Sequence, residues 1–170
     1  MNKPLLALAF LLPGLASAAG LMGTTVDVRY NFEDGATIFH TLDSVVVGAG
    51  IELSCPGAAQ ICQVLNSTTQ TLDLSDHGIR YDYAGPGSGF NNIAVNGFDF
   101  GSLFVGETLT GVQLTTNIAG LDSSRPSFSA HGLQLDMHNL SVGNQAFFQL
   151  DLQTAPVPEP ASAALLLGGL

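Results

Sequence analysis

The chain has 170 residues, enough for one domain once its apolar ends are set aside. Charged residues make up only 11%, glycines number 20 and the formal net charge is -10; this mix describes a folded β-rich domain rather than a disordered acidic chain. The only basic residues are Lys3, Arg29, Arg80 and Arg125. A surface this acidic repels phosphate backbones and anionic membrane surfaces, which argues against nucleic acid as a partner, and it attracts divalent cations weakly.

Residues 1–19 have the three parts of a secretory leader. Lys3 supplies a positive start, Leu5 to Leu12 form a short apolar run, and Pro13-Gly14 break it. Ala16-Ser17-Ala18 is the small-x-small pattern that a signal peptidase accepts, with cleavage expected after Ala18 or Ala19. The apolar run is too short to cross a bilayer, which takes roughly 20 residues.

From Gly23 to Thr154 the pattern is that of strands. Val26, Val28, Tyr30 and Phe32 alternate with Asp27, Arg29, Asn31 and Glu33, and Asp34-Gly35 marks a tight turn into a return strand at Ile38 to Leu42. Val45 to Val47 and Ile51 to Leu53 flank Gly48-Ala49-Gly50, a bulge or bend signal. Export makes the two cysteines informative, because an oxidising compartment favours a Cys55–Cys62 disulfide, a staple at a loop tip. Two free thiols are the rival, and a metal site is poorly served with no further Cys and no nearby His.

Strands are expected again at Thr68 to Leu74 and at Ile79 to Tyr83, followed by a flexible loop at Gly85-Pro86-Gly87-Ser88-Gly89. Ile93 and Val95 lead into Asn96-Gly97, which reads as a hairpin turn before Phe98 and Phe100. Leu109 to Ile118, Phe128, the Leu133, Leu135, Met137 set and the Phe148, Leu150, Leu152 set complete about nine or ten strands. The expected fold of residues 20–154 is an antiparallel β-sandwich, jelly-roll-like or Ig-like, with a β-barrel as the alternative.

The strand pattern stops at Ala155-Pro156. Prolines fix φ and remove donors, so residues 155–170 read as an extended linker running into an apolar segment. Val157-Pro158-Glu159-Pro160-Ala161 followed by that segment resembles the PEP-CTERM sorting signal of exported proteins in Gram-negative bacteria that make exopolysaccharide. The resemblance implies transient inner-membrane association, processing by an exosortase, and delivery to the cell surface or exterior. In the family a full transmembrane helix and an Arg-rich end follow the triad. Here ten residues, Ala161 to Leu170, stand after it with no arginine, as expected of a sorting tail cut short. The Asn96-Gly97-Phe98-Asp99-Phe100, Thr110-Gly111-Val112 and Phe128…Leu133-Gln134-Leu135 segments look like the sandwich domains such proteins carry, which mostly lack an assigned activity.

No chemistry-bearing motif stands out, and no catalytic residue and no cofactor is expected. His40, His77, His131 and His138 come without a nucleophile elbow, Gly87-Ser88-Gly89 being only a loop, and without a His-Glu-x-x-His pattern, so a secreted hydrolase is the weakest reading. Asp73, Asp76 and Asp82 around a Ser-Asp-His-Gly turn are candidate ligands for a structural calcium, although alternating acids are usually the wet face of a strand. Asn66-Ser67-Thr68 and Asn139-Leu140-Ser141 match a glycosylation sequon that is usually incidental in a bacterial product. A glycan-binding module is the sharper alternative to a non-catalytic matrix protein. Sugar sites use exposed rings, however, and with no Trp the chain offers Tyr30, Tyr81 and Tyr83 on faces that look buried.

Overall fold

The computed structural model describes residues 20–65 and 69–157. The expected leader, the sequon at 66–68 and the sorting motif from residue 158 onward lie outside the described residues. In chain order the strands are β1 (Thr25–Asp34), β2 (Thr37–His40), β3 (Asp43–Val46), β4 (Leu53–Cys55), β5 (Thr69–Ser75), β6 (Gly78–Ala84), β7 (Ser88–Gly89), β8 (Val95–Gly101), β9 (Glu107–Thr116), β10 (Pro126–Ser129), β11 (Gly132–Asp136), β12 (Ser141–Val142) and β13 (Ala146–Pro156). One turn of helix, α1 (Ile61–Val64), follows β4.

Two antiparallel sheets pack face to face. The first has the order β10-β11-β8-β1-β2, with β3 also paired to β1, and the second has the order β4-β5-β6-β13-β9. The fold is an all-β sandwich; one backbone bond from Leu109 N–H to the Ala130 carbonyl links the sheets at one margin, but they do not close into the barrel held as the alternative.

Alternation decides which face each strand buries. Val26, Val28 and Tyr30 of β1 point inward, as do Phe98 and Phe100 of β8 and Leu133 and Leu135 of β11; Ile79, Tyr81, Phe148 and Leu150 meet them from the second sheet. Phe98 is the hub, its ring centroid 5.5 Å from Tyr30, 5.4 Å from Tyr81 and 5.5 Å from Phe148. Edge and tilted ring pairs of this kind add to plain area burial.

The β1–β2 hairpin turns at Gly35-Ala36, one residue on from the expected Asp34-Gly35, because Asp34 still pairs with Thr37; Gly35 has φ 50. The return strand stops earlier than the sequence suggests, at His40, and β3 resumes at Asp43 along the same side of β1. Thr41 bridges the gap: its N–H donates to the Tyr30 carbonyl, and its hydroxyl accepts from the Tyr30 N–H at 2.9 Å.

Asn96-Gly97 is not a turn. Both residues lie inside β8, a continuous strand between β1 and β11. Tertiary demands override the local signal. The buried Asn96 side chain accepts from the Tyr30 hydroxyl and donates to the Asn91 carbonyl. At Gly97 the β11 backbone comes so close that a Cβ would stand 2.1 Å from the Leu135 carbonyl oxygen. The segment expected as a flexible loop likewise contains β7, paired with β12.

The disulfide joins Cys55 and Cys62, but not at a loop tip. Both residues are buried in the main core, because α1 tucks Ile61 and Cys62 inward. The Asp43 carboxylate anchors this turn by accepting the Gln60 and Ile61 N–H groups at 2.8 Å each. Closing so short a loop is worth about 2.5 kcal/mol in the chain-entropy model. Replacing both cysteines with alanine is expected to lower the unfolding free energy by about that amount, as read from urea titration, and the wild type with reductant added during unfolding should show the same loss.

Candidate functional site

The outer face of the first sheet presents the polar half of the alternation. Residues directly opposite one another in a ladder share a face, so the register sets out two rows. Asp136, Gly97, Asn31 and His40 form one, across β11, β8, β1 and β2. Ser127, Gln134, Asp99 and Arg29 form the next, across β10, β11, β8 and β1. Gly97 contributes no side chain, and the first row is therefore low in its middle.

The result is a groove of about 390 Å³ floored by β8 at Val95 to Phe98. One wall carries Asn31, Glu33 and His40. The His40 ring holds Asn31 through Nδ1 at 2.8 Å and faces Glu33 through Nε2 at 3.4 Å. The opposite wall carries Arg125, Ser127, Gln134 and Asp136. Arg125 Nη1 lies 3.3 Å from Asp136 Oδ2 and donates to the His138 carbonyl at 3.0 Å. A second hollow of about 320 Å³ shares Ser127 and Gln134 with the groove and adds Asp99 and the half-exposed Phe128. The two together make a trough over the sheet.

Partial burial pushes the Asp136 carboxyl up, but the His138 N–H, the His138 ring and the Arg125 guanidinium outweigh it and hold the group below the usual carboxylate range. A depressed folded value contributes stability above the unfolded value and loses it as pH falls through the folded one. This wall therefore keeps its charge into acid solution.

The three tyrosines fit the core, as their alternation suggests. Tyr30, Tyr81 and Tyr83 are buried, with their hydroxyls donating to Asn96, to Gln70 and to the Pro86 carbonyl. Burial raises the Tyr30 and Tyr81 hydroxyls well above the ordinary phenol range.

The calcium candidates are not gathered into one site. Asp82 receives both Nε and Nη2 of Arg80 at 2.7 Å, and Asp73 lies directly opposite Arg80. Asp76 sits in the β5–β6 turn and accepts from the Met22 N–H at 3.3 Å. The positive charge beside Asp73 and Asp82 is a guanidinium, which lies over the Phe147 ring at 4.5 Å. No group of three or more His, Cys, Asp or Glu side chains converges for a metal among the described residues.

The histidines are dispersed. His40 is on one groove wall and His138 stands behind the other, while His131 Nδ1 lies 3.1 Å from the Leu103 carbonyl. His77 stands between Asp76 at 3.6 Å and Glu107 at 3.9 Å. Ser88 lies in β7, opposite Val142. Sequence reasoning missed the trough because its residues read as ordinary solvent-facing strand positions. The one local hint was a glycine in the middle of a strand, a mark of close backbone approach.

No family model matches the chain, and neither a curated protein nor a solved structure does.

Proposed function

We propose that this is an exported, non-catalytic cell-surface or matrix protein whose sandwich holds polysaccharide along the trough of the first sheet. The leader-like residues 1–19 and the Val157-to-Ala161 motif support export, with signal peptidase and an exosortase as processing partners and a transient stop at the inner membrane of a Gram-negative cell. The trough is the observation that carries the binding half of the reading. It offers amides from Asn31 and Gln134, a hydroxyl from Ser127 and carboxylates from Glu33 and Asp136 along one open channel. Such groups donate to and accept from sugar hydroxyls.

Retention of the protein on the exopolysaccharide of the producing cell tests this. Asn31→Ala combined with Gln134→Ala removes two amides at about 1 kcal/mol each, so affinity should fall roughly 30-fold while thermal stability stays near wild type. Unchanged retention would remove the trough from the account. A product found unprocessed in the cytosol would remove the export half.

A further inference from the structure

Resting on the polysaccharide reading, we propose that the trough selects chains bearing free amino groups, cationic amino sugars, over neutral or uronic acid polymers. Three carboxylates line the trough and its adjoining hollow: Glu33, Asp136 and Asp99. The guanidinium on its wall, Arg125, is committed to Asp136 and to the His138 carbonyl. His40 is held between Asn31 and Glu33. Asp99 stands in the second row between Arg29 and Gln134, but Arg29 pairs with Asp27 at 3.6 Å, and the Asp99 carboxylate makes no hydrogen bond or ion pair among the described residues.

A concave surface lined mainly by one sign of charge concentrates the field inside it and raises the local concentration of counter-ions. The trough therefore repels carboxylate-bearing chains and favours ammonium groups, with Asp99 the carboxylate left to receive one. A charge-assisted bond of that kind is about twice as strong as a neutral one. The overall charge of -10 acts in the same direction at long range, so local and global attraction must be told apart.

The test is binding of the full chain to an oligomer of β-linked glucosamine, to its fully N-acetylated counterpart and to a polyuronate, at a pH where the amines are charged. The amino form should bind at least 10-fold more tightly than the acetylated form, and the polyuronate least. Added salt should narrow the gap. Asp99→Asn should abolish the preference by bringing the affinity of the amino form down to that of the acetylated one. Asp151→Asn, an exposed acid on the other sheet, should leave the preference unchanged. Equal binding of the two oligomers overturns the inference and spares the polysaccharide reading. An equal loss from Asp151→Asn overturns it too, because the attraction is then that of the whole molecule. Failure of every polymer to bind sinks both.

Discussion

Glu107→Leu is expected to raise the unfolding free energy by about 3 kcal/mol, within the range seen when buried ionic groups give way to apolar ones. Glu107 opens β9 with its side chain turned inward, and only 2% of the residue is exposed. Neither carboxylate oxygen has a hydrogen-bond partner among the described residues. The His77 ring stands beside it, with Nε2 3.9 Å from Oε2. Removing a carboxylate from water costs several kcal/mol, and one imidazole beyond hydrogen-bond reach does not return it. Leucine matches the volume and continues the inward row with Leu109, two residues on. Urea unfolding at neutral pH measures the gain. His77→Ala should move stability the other way, because the carboxylate then loses the polar ring beside it. A Glu107→Leu variant no more stable than wild type would mean that the acid is better accommodated than its geometry shows.

Gly97→Ala should cost about 3 kcal/mol or more, the upper range for overpacking a close contact. The new methyl would meet the Leu135 carbonyl oxygen at 2.1 Å, the Leu135 carbonyl carbon at 3.1 Å and the Asp136 Cα at 3.3 Å. All three atoms are backbone, so no side chain can swing aside, and relief requires β8 and β11 to part. Gly143→Ala is the control: among the described residues nothing lies within 4 Å of the added Cβ, and the φ there is not left-handed. That change should be neutral or stabilise by a few tenths of a kcal/mol through the unfolded chain. Amide exchange in β8 and β11 should accelerate for Gly97→Ala alone, and polysaccharide binding should fall with it because the trough floor moves. Matching stabilities for the two variants would show that the close approach at Gly97 is relieved by small shifts.

Legibility from the sequence followed how local each determinant is. The β1 alternation of Val26, Val28 and Tyr30 against Asp27 and Arg29 fixes a buried and a wet face without reference to any other part of the chain. The β1–β2 turn forms because Gly35 tolerates the required φ locally. Asn96-Gly97 offers the same kind of signal and does the opposite, because Tyr30 and Leu135 make claims on it from far away in sequence. The turn of helix at Ile61–Val64 is too short to carry a period. A period of two says that Asn31 and Gln134 face water; it does not say that β8 will lie between them. The trough is a property of strand order, which alternation leaves open.

That order has a consequence for how the molecule comes into being. β13 lies between β6 and β9, in the interior of its layer, and β1 lies inside the other, between β8 and the β2–β3 edge. A chain arriving amino end first can make the β1–β2 and β5–β6 hairpins early. The second layer can join β9 to β6 only when Ala146–Pro156 appears between them. Until then β9 has no ladder partner among the described strands, and such distant pairings form slowly. A polypeptide wired this way completes its second layer late, when the strand from Ala146 to Pro156 seats between two neighbours already made.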